Sequence, residues 1–404
     1  MWEQDVDINE VVEIRSKSTV YLGVGAIQKI DDIAAEMKQL QIEKVIVVTG
    51  KSSYKISGAW EVVEKALQAK GIAYRIYDQI TPNPTAEQVD AATKVALEFG
   101  AQGVLAIGGG SPIDAAKSVA ILMEYPEETA ASLYEYTFTP EKAAPIVTVN
   151  LTHGTGTEID RFAVVTILDK EYKPAIAYDC IYPMYSIDDP ALMTKLPRNQ
   201  SLYVSIDAIN HVVEAATTKV ASPYSILMAK ETVRLVAKYL PIILQNPEDL
   251  TARYYLLYAS MIAGVSFDNG LLHFTHALEH PLSAVKPELA HGLGLAMLLP
   301  SVVKNIYTVK SAVLADILAP IVPALTGDAG EAEQAAVGIE KWLFALGVDS
   351  KLKDEGFTAV DVARLTELAM ETPSLSLLLS LAPIEADADI VTKIYEESLS
   401  PMCC

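Results

Sequence analysis

The spacing of apolar residues changes once along this chain. Between residues 20 and 190 short apolar runs recur at Lys44 to Thr49 (KVIVVT), Ala73 to Tyr77 (AYRIY), Gly103 to Ile107 (GVLAI) and Pro145 to Val149 (PIVTV). Runs of this length, separated by helical stretches, predict parallel strands joined by crossover helices. Apolar residues three and four positions apart predict those helices at Gln28 to Met37, Ala59 to Lys70, Ala86 to Phe99 and Ile113 to Met123. Past the turn-rich passage Tyr182 to Leu196, strand signals nearly vanish and helical spacing runs to the end. Arg253 to Val265 is a long apolar helix, and Thr358 to Asp361 reads as a capping box opening another. The expected fold is therefore α/β plus all-α. Residues 1–190 form a doubly wound, Rossmann-like domain and residues 191–404 a helical one. No fixed-period repeat points to a solenoid.

Composition narrows the partners. With 404 residues, 51% of them hydrophobic, the chain fills two cores. Its 31 basic and 52 acidic residues leave a formal net charge of −21, which repels nucleic-acid phosphates and anionic lipid surfaces. The N-terminal segment has no basic region leading into an apolar stretch, and no membrane anchor is indicated. The three cysteines, Cys180, Cys403 and Cys404, do not make a disulfide framework, and the terminal pair reads as a tail. A cytoplasmic location is expected.

Two small-residue turns follow predicted strands. Gly108-Gly109-Gly110-Ser111 separates an apolar strand from a helix whose first turn holds Pro112, with Asp114 and Lys117 beyond. Glycines admit close approach, and the exposed N–H groups of a helix start favour an anion such as a pyrophosphate. A tight turn alone would use glycines too, and the motif is not GxGxxG. The second turn runs Thr152-His153-Gly154-Thr155-Gly156-Thr157-Glu158, again at an expected carboxyl edge of the sheet, where ligands of such folds bind. It also reads as a hydroxyl-rich helix cap.

Five of the six histidines fall between residues 211 and 291. Asp207 and His211 are four apart and share a helix face. His273, His276 and His280 stand at helical spacings, and His291 follows a break containing Pro281 and Pro287. One buried histidine is ordinary, but this set with a carboxylate suits Fe(II), Zn(II) or another first-row ion. His273 is the weakest member, since one helix face does not aim three imidazoles at one point.

With these residues assembled, the chain resembles the iron-containing, or group III, alcohol dehydrogenase family over nearly its whole length. The marks are PNPT at Pro82 to Thr85, GGGSPIDAAK at Gly108 to Lys117, GTGTE at Gly154 to Glu158, DPALMTKLP at Asp189 to Pro197, DAINH at Asp207 to His211, and HALEHPL with AHG around His276, His280 and His291. The resemblance implies that Asp207, His211, His276 and His291 bind Fe(II), or zinc in some members, between two domains, with His280 beside the metal. It implies a dinucleotide near Gly109, Gly110, Ser111 and Asp114, a nicotinamide near Thr152 and Thr155, and a homodimer or larger homo-oligomer. The implied function is hydride transfer between NAD(P)(H) and a small primary alcohol, diol or aldehyde, the metal acting as Lewis acid. His280 is then the proton relay.

Three departures stand out. His153 occupies a position where a small residue is typical and is expected to reshape the nicotinamide end. The gap from His280 to His291 is a residue longer than in many relatives. Gly50, just after the strand ending Val47-Val48-Thr49, stands where NAD-preferring relatives often carry aspartate, and Lys51, Ser52 and Ser53 offer donors to a phosphate. NADP(H) is accordingly favoured over NAD(H), although such a turn is also an ordinary solvated loop. The rival readings are a glycerol dehydrogenase or dehydroquinate synthase type of enzyme on the same fold, and a non-catalytic metal or nucleotide sensor. DAINH and HALEHPL favour the alcohol dehydrogenase branch, and no ligand position is lost as a sensor would allow.

Overall fold

A computed structural model of the chain describes residues 2–5 and 12–402; Cys403 and Cys404 lie outside the described residues. In chain order the strands are β1 (Thr19–Leu22), β2 (Lys44–Gly50), β3 (Ala73–Ile80), β4 (Gly103–Gly108), β5 (Ile146–Asn150), β6 (Phe162–Val164), β7 (Ala175–Ala177) and β8 (Tyr185–Asp188). Six of them form one parallel sheet in the order β1-β8-β5-β4-β2-β3. β6 and β7 pair separately as an antiparallel hairpin.

The period of two explains why both sheet faces are covered. Val45 and Val47 of β2 and Leu105 and Ile107 of β4 face a core with Ile30, Ile33, Val63 and Leu67. Ile46 and Val48, with Val104 and Ala106, face the opposite core, shared with Val89, Ala92, Ile113 and Ala116. The helices that supply these residues are Ile30–Gln39 and Ala59–Ala69 on one side, and Ala86–Phe99 and Gly110–Leu122 on the other. The doubly wound expectation is met.

The four strands read from the sequence are present, each reaching one to three residues further at its C-terminal end. Besides the β6–β7 hairpin, two strands of the six-stranded sheet were not foreseen. β1 is a four-residue edge, half-buried, and β8 hides inside the passage taken as turns, although it lies between β1 and β5 with Ser186, Ile187 and Asp188 buried.

Beyond Pro197 every α-helix or strand among the described residues is helical, starting with Arg198–Ala215, Pro223–Gln245, Leu250–Gly270, Phe274–Val285 and His291–Leu318. These helices enclose a third core around Leu202, Val212, Leu240, Leu282 and Leu299. The last helix is long and apolar enough to cross a membrane, but 78% of its apolar window is buried inside the protein, as in a core helix. The expected capping box closes only in part. Asp361 accepts from the backbone N–H of Thr358 (2.7 Å), and the helix opens at Val362, with no side-chain cap at Asp361.

Candidate metal centre and cofactor cleft

Asp207 and His211 sit on the buried face of the helix Arg198–Ala215, where four residues bring side chains to one side. His276 and His280 do the same on Phe274–Val285, and His291 is the first residue of the helix His291–Leu318. All three helices aim at Asp207 Oδ1. That oxygen is 3.5 Å from His211 Nε2, 3.5 Å from His276 Nε2 and 3.8 Å from His291 Nε2. The ligand atoms of Asp207, His276 and His291 lie within 4.8 Å of one another. His211 joins through Asp207 and stands outside that mutual set, its ring stacked on His276 and on Phe267 at 4.5 Å each.

Donors about 2.1 Å from one shared cation stand roughly 3–3.5 Å apart, so this spacing suits a cation. Hydrogen bonding agrees. Asp207 Oδ1 and His276 Nε2 are buried with no hydrogen-bond partner among the described residues, a costly state for facing polar atoms unless something lies between them. The far nitrogens are occupied: His276 Nδ1 meets Glu214 Oε2, and His291 Nδ1 meets Glu279 Oε2. Carboxylates behind metal-bound imidazoles fix the tautomer and leave Nε2 free to coordinate.

Glu214 has a second task. Its Oε1 accepts the backbone N–H groups of His273 (2.9 Å), Thr275 (2.9 Å) and His276 (3.3 Å). These are the free donors of a helix start, where an anion is favoured. Burial works against its charge, but His276 and these donors hold its carboxyl down at about 2. Burial likewise opposes charge on His276, yet Glu214 and Asp207 outweigh it and push the imidazole up to about 9. His211 goes the other way, to about 4, chiefly through burial. The carboxylates thus attract positive charge strongly to one point.

His280 stands beside this group. Its Nδ1 bonds the carbonyl of Lys173 (2.7 Å), which leaves Nε2 as the acceptor in the neutral ring. Burial and the Lys173 ammonium hold it well below the usual imidazole range. His273 is not part of the site: its ring is fully buried and bonded to Thr217 Oγ1 (2.8 Å).

A cleft of about 1400 Å³ joins these residues to the glycine-rich turn. Gly109, Gly110, Ser111, Asp114, Thr152 and Thr155 line it, together with Gly50 and Ser53. The two turns interlock, since a Cβ on Gly109 would lie 2.7 Å from Thr152 Oγ1 and one on Gly110 would lie 2.7 Å from Thr155 Cγ2. Gly109 caps the helix Gly110–Leu122 with its backbone alone. Gly108 lies behind the wall, packed on Pro112. Both Asp114 oxygens are engaged, by Thr157 Oγ1 (2.7 Å) and the Val164 N–H (3.0 Å), so Asp114 braces the turn.

Two expectations for this end are corrected. His153 does not line the cleft. Gly154 packs against the carbonyl of Val204, and the buried His153 ring meets Ser205 Oγ of the neighbouring helix through Nε2 (3.1 Å). Burial and the nearby Arg253 lower it to about 3, so it is neutral. Lys51 and Ser52 are exposed and stand outside the lining, which only Gly50 and Ser53 of that loop reach.

The profile of iron-containing alcohol dehydrogenases matches residues 17–190, and that of the family's C-terminal part matches residues 201–399. The chain belongs to the iron-containing alcohol dehydrogenase family. It is 61% identical to the long-chain primary alcohol dehydrogenase of Thermoanaerobacter ethanolicus, over 98% of this chain and 100% of that one. It is 30% identical to the NADPH-dependent butanol dehydrogenase of Clostridium saccharobutylicum, over 70% and 71%. Among solved structures, the NADH-dependent butanol dehydrogenase A of Thermotoga maritima superposes with a TM-score of 0.86 at 28% identity, over 97% and 99%. As a member of this family the chain is an alcohol dehydrogenase.

Sequence reasoning missed Glu214, Glu279, Lys173 and Phe267. Glu214 had a signal, being seven residues past Asp207 on the same helical stripe. Lys173 had none, because the hairpin connection brings it to the site from more than a hundred residues away, to Ser283 Oγ (2.7 Å) and Glu279 Oε2 (3.4 Å).

Proposed function

We propose that this chain interconverts a primary alcohol and its aldehyde in a cleft shared by two parts. Residues 1–190 hold a nicotinamide dinucleotide and residues 191–404 hold a divalent cation, Fe(II) with Zn(II) as the alternative. Asp207, His211, His276 and His291 are the ligands in this reading. The observation that carries it is one buried carboxylate oxygen without a hydrogen-bond partner among the described residues, faced by three imidazole nitrogens within 3.8 Å.

When bound, the cation supplies Lewis acidity toward the alcohol oxygen and the nicotinamide supplies the hydride acceptor. The protein does the rest. Glu214 and Glu279 orient the imidazoles of His276 and His291, and Phe267 with Phe162 lines the cleft beside them. His280, its Nδ1–H on the Lys173 carbonyl, takes the hydroxyl proton at Nε2.

NADP(H) is the preferred dinucleotide in this reading. Gly50 brings no carboxylate to repel a 2′-phosphate, Ser53 lies on the cleft wall, and Lys51 is exposed beside it. Reduction of NADP+ and NAD+ by primary alcohols tests both levels. NADP+ is expected to give a kcat/KM about tenfold higher. A strong NAD+ preference contradicts the cofactor choice, and no reduction with any primary alcohol contradicts the activity.

Glu214→Gln keeps the shape but loses the charge. It is expected to weaken metal affinity roughly tenfold or more, read as faster loss of metal to a chelator. Wild-type retention would show that Glu214 only caps the helix.

A further inference from the structure

A buried histidine that lines no cleft still stands between the two ends of the site. The turn from Thr152 to Thr157 is tied to the sheet at its start, where the Thr152 N–H donates to Asn150 Oδ1 (3.0 Å) and Asn150 Nδ2 donates to Asp188 Oδ1 (3.0 Å). Two glycines then press the turn onto the helical half. A Cβ on Gly154 would lie 2.4 Å from the Val204 carbonyl oxygen, and one on Gly156 would lie 2.5 Å from Gly264 Cα. Val204 belongs to the helix that carries Asp207 and His211, and Gly264 to the helix that carries Phe267.

These contacts are steric and carry no direction, whereas a hydrogen bond does. His153 supplies one. Its Nε2 is 3.1 Å from Ser205 Oγ, two residues before Asp207. The Ser205 hydroxyl gives its single hydrogen to the Ser201 carbonyl (2.9 Å), so the ring donates, from Nε2–H to Oγ. Burial and the nearby Arg253 keep that ring neutral, and a neutral imidazole has one N–H. Ser201 is held in turn by Arg253, whose Nη1 donates to Ser201 Oγ (2.9 Å) and whose Nε donates to the Pro247 carbonyl (3.0 Å). His153, Ser205, Ser201 and Arg253 are all buried, where a hydrogen bond is costly to leave unmade.

We propose that His153 is a positioning residue for hydride transfer, its bond to Ser205 fixing the turn that carries Thr152 and Thr155 relative to the helix that carries Asp207. The proposal rests on the reading above that a nicotinamide lies at this turn and the alcohol oxygen at the ligand cluster. Thr152 and Thr155 line the cleft and His153 does not, so its effect passes through its neighbours in the turn. Reacting groups displaced by about 1 Å lose up to roughly a hundredfold in rate.

The test is kcat for butanol oxidation, with the dinucleotide that the wild-type enzyme reduces faster, in four variants assayed for metal content. His153→Phe keeps a ring but no N–H, and His153→Gln restores an N–H donor at similar reach. Ser205→Ala removes the acceptor, and the fourth variant combines it with His153→Phe. His153→Phe is expected to lower kcat about tenfold, with alcohol KM and metal content near those of the wild type. His153→Gln is expected to recover kcat to within about threefold of the wild type. Ser205→Ala is expected to match His153→Phe, and the combined variant to lose no more than either, because both remove one bond. Wild-type kcat in His153→Phe, a His153→Gln as slow as His153→Phe, or losses that multiply in the combined variant overturn the proposal. So does loss of metal, which would place the effect on the ligand helix. Should His153→Phe fail to fold, wild-type kcat in Ser205→Ala alone overturns it. A wild-type enzyme that reduces neither dinucleotide overturns the underlying reading instead.

Discussion

Asp207→Ala is expected to purify without its metal and to lose activity by roughly a thousandfold or more. The reason is geometric. Asp207 Oδ1 is the one atom that all three imidazoles approach, at 3.5, 3.5 and 3.8 Å. Without it the imidazoles share a buried space with no ligand carboxylate between them, and a divalent ion loses its only anionic ligand in the set. The Lewis acid stabilises developing charge by several kcal/mol, and each 1.36 kcal/mol is a factor of about ten. Elemental analysis and kcat/KM on the same sample check it. A variant with full metal content would remove Asp207 from the ligand set. His276→Ala is expected to behave alike, because it takes away an imidazole that faces Asp207 Oδ1 at 3.5 Å and is backed by Glu214.

His280→Ala should separate chemistry from coordination. The expected result is a kcat lower by about a hundredfold, the usual scale for removing a positioned proton acceptor, with metal content close to that of the wild type. The separation follows from what the ring touches. Its Nδ1 is committed to the Lys173 carbonyl, and the partners of Asp207 Oδ1 are His211, His276 and His291. Yet Glu279, His280 and His291 also offer ligand atoms within 4.8 Å of one another. Loss of metal in His280→Ala would therefore place His280 among the ligands and end its role as relay. Unchanged kcat with full metal would give the proton another route.

Which features were legible in the sequence has a physical explanation. Strands buried on both faces, such as β2 and β4, write themselves as unbroken apolar runs, and Ala86–Phe99 announces both its ends, with a capping box at Thr85 and a left-handed Gly100. β8 is equally buried but only four residues long, and the Asp189-Pro190 turn that follows masks it. The metal-ligand candidates were readable because helical spacing projects Asp207 with His211, and His276 with His280, onto shared faces.

Groups that act from behind were not. Glu214 earns its place through three backbone N–H groups some sixty residues away, a relation that no local pattern encodes. His153 went wrong for the complementary reason. Its position in the chain put it in the turn that lines the cleft, but the ring is buried against Ser205 of the neighbouring helix, a contact fifty-two residues away that no local pattern encodes.

X-ray absorption at the metal edge of protein purified without oxygen tests the central claim most directly. One first-row cation per chain, with a shell of one carboxylate oxygen and three imidazole nitrogens plus room for a light oxygen donor, is the predicted result. A sulfur-containing shell, or a shell with fewer than three imidazoles, would contradict it.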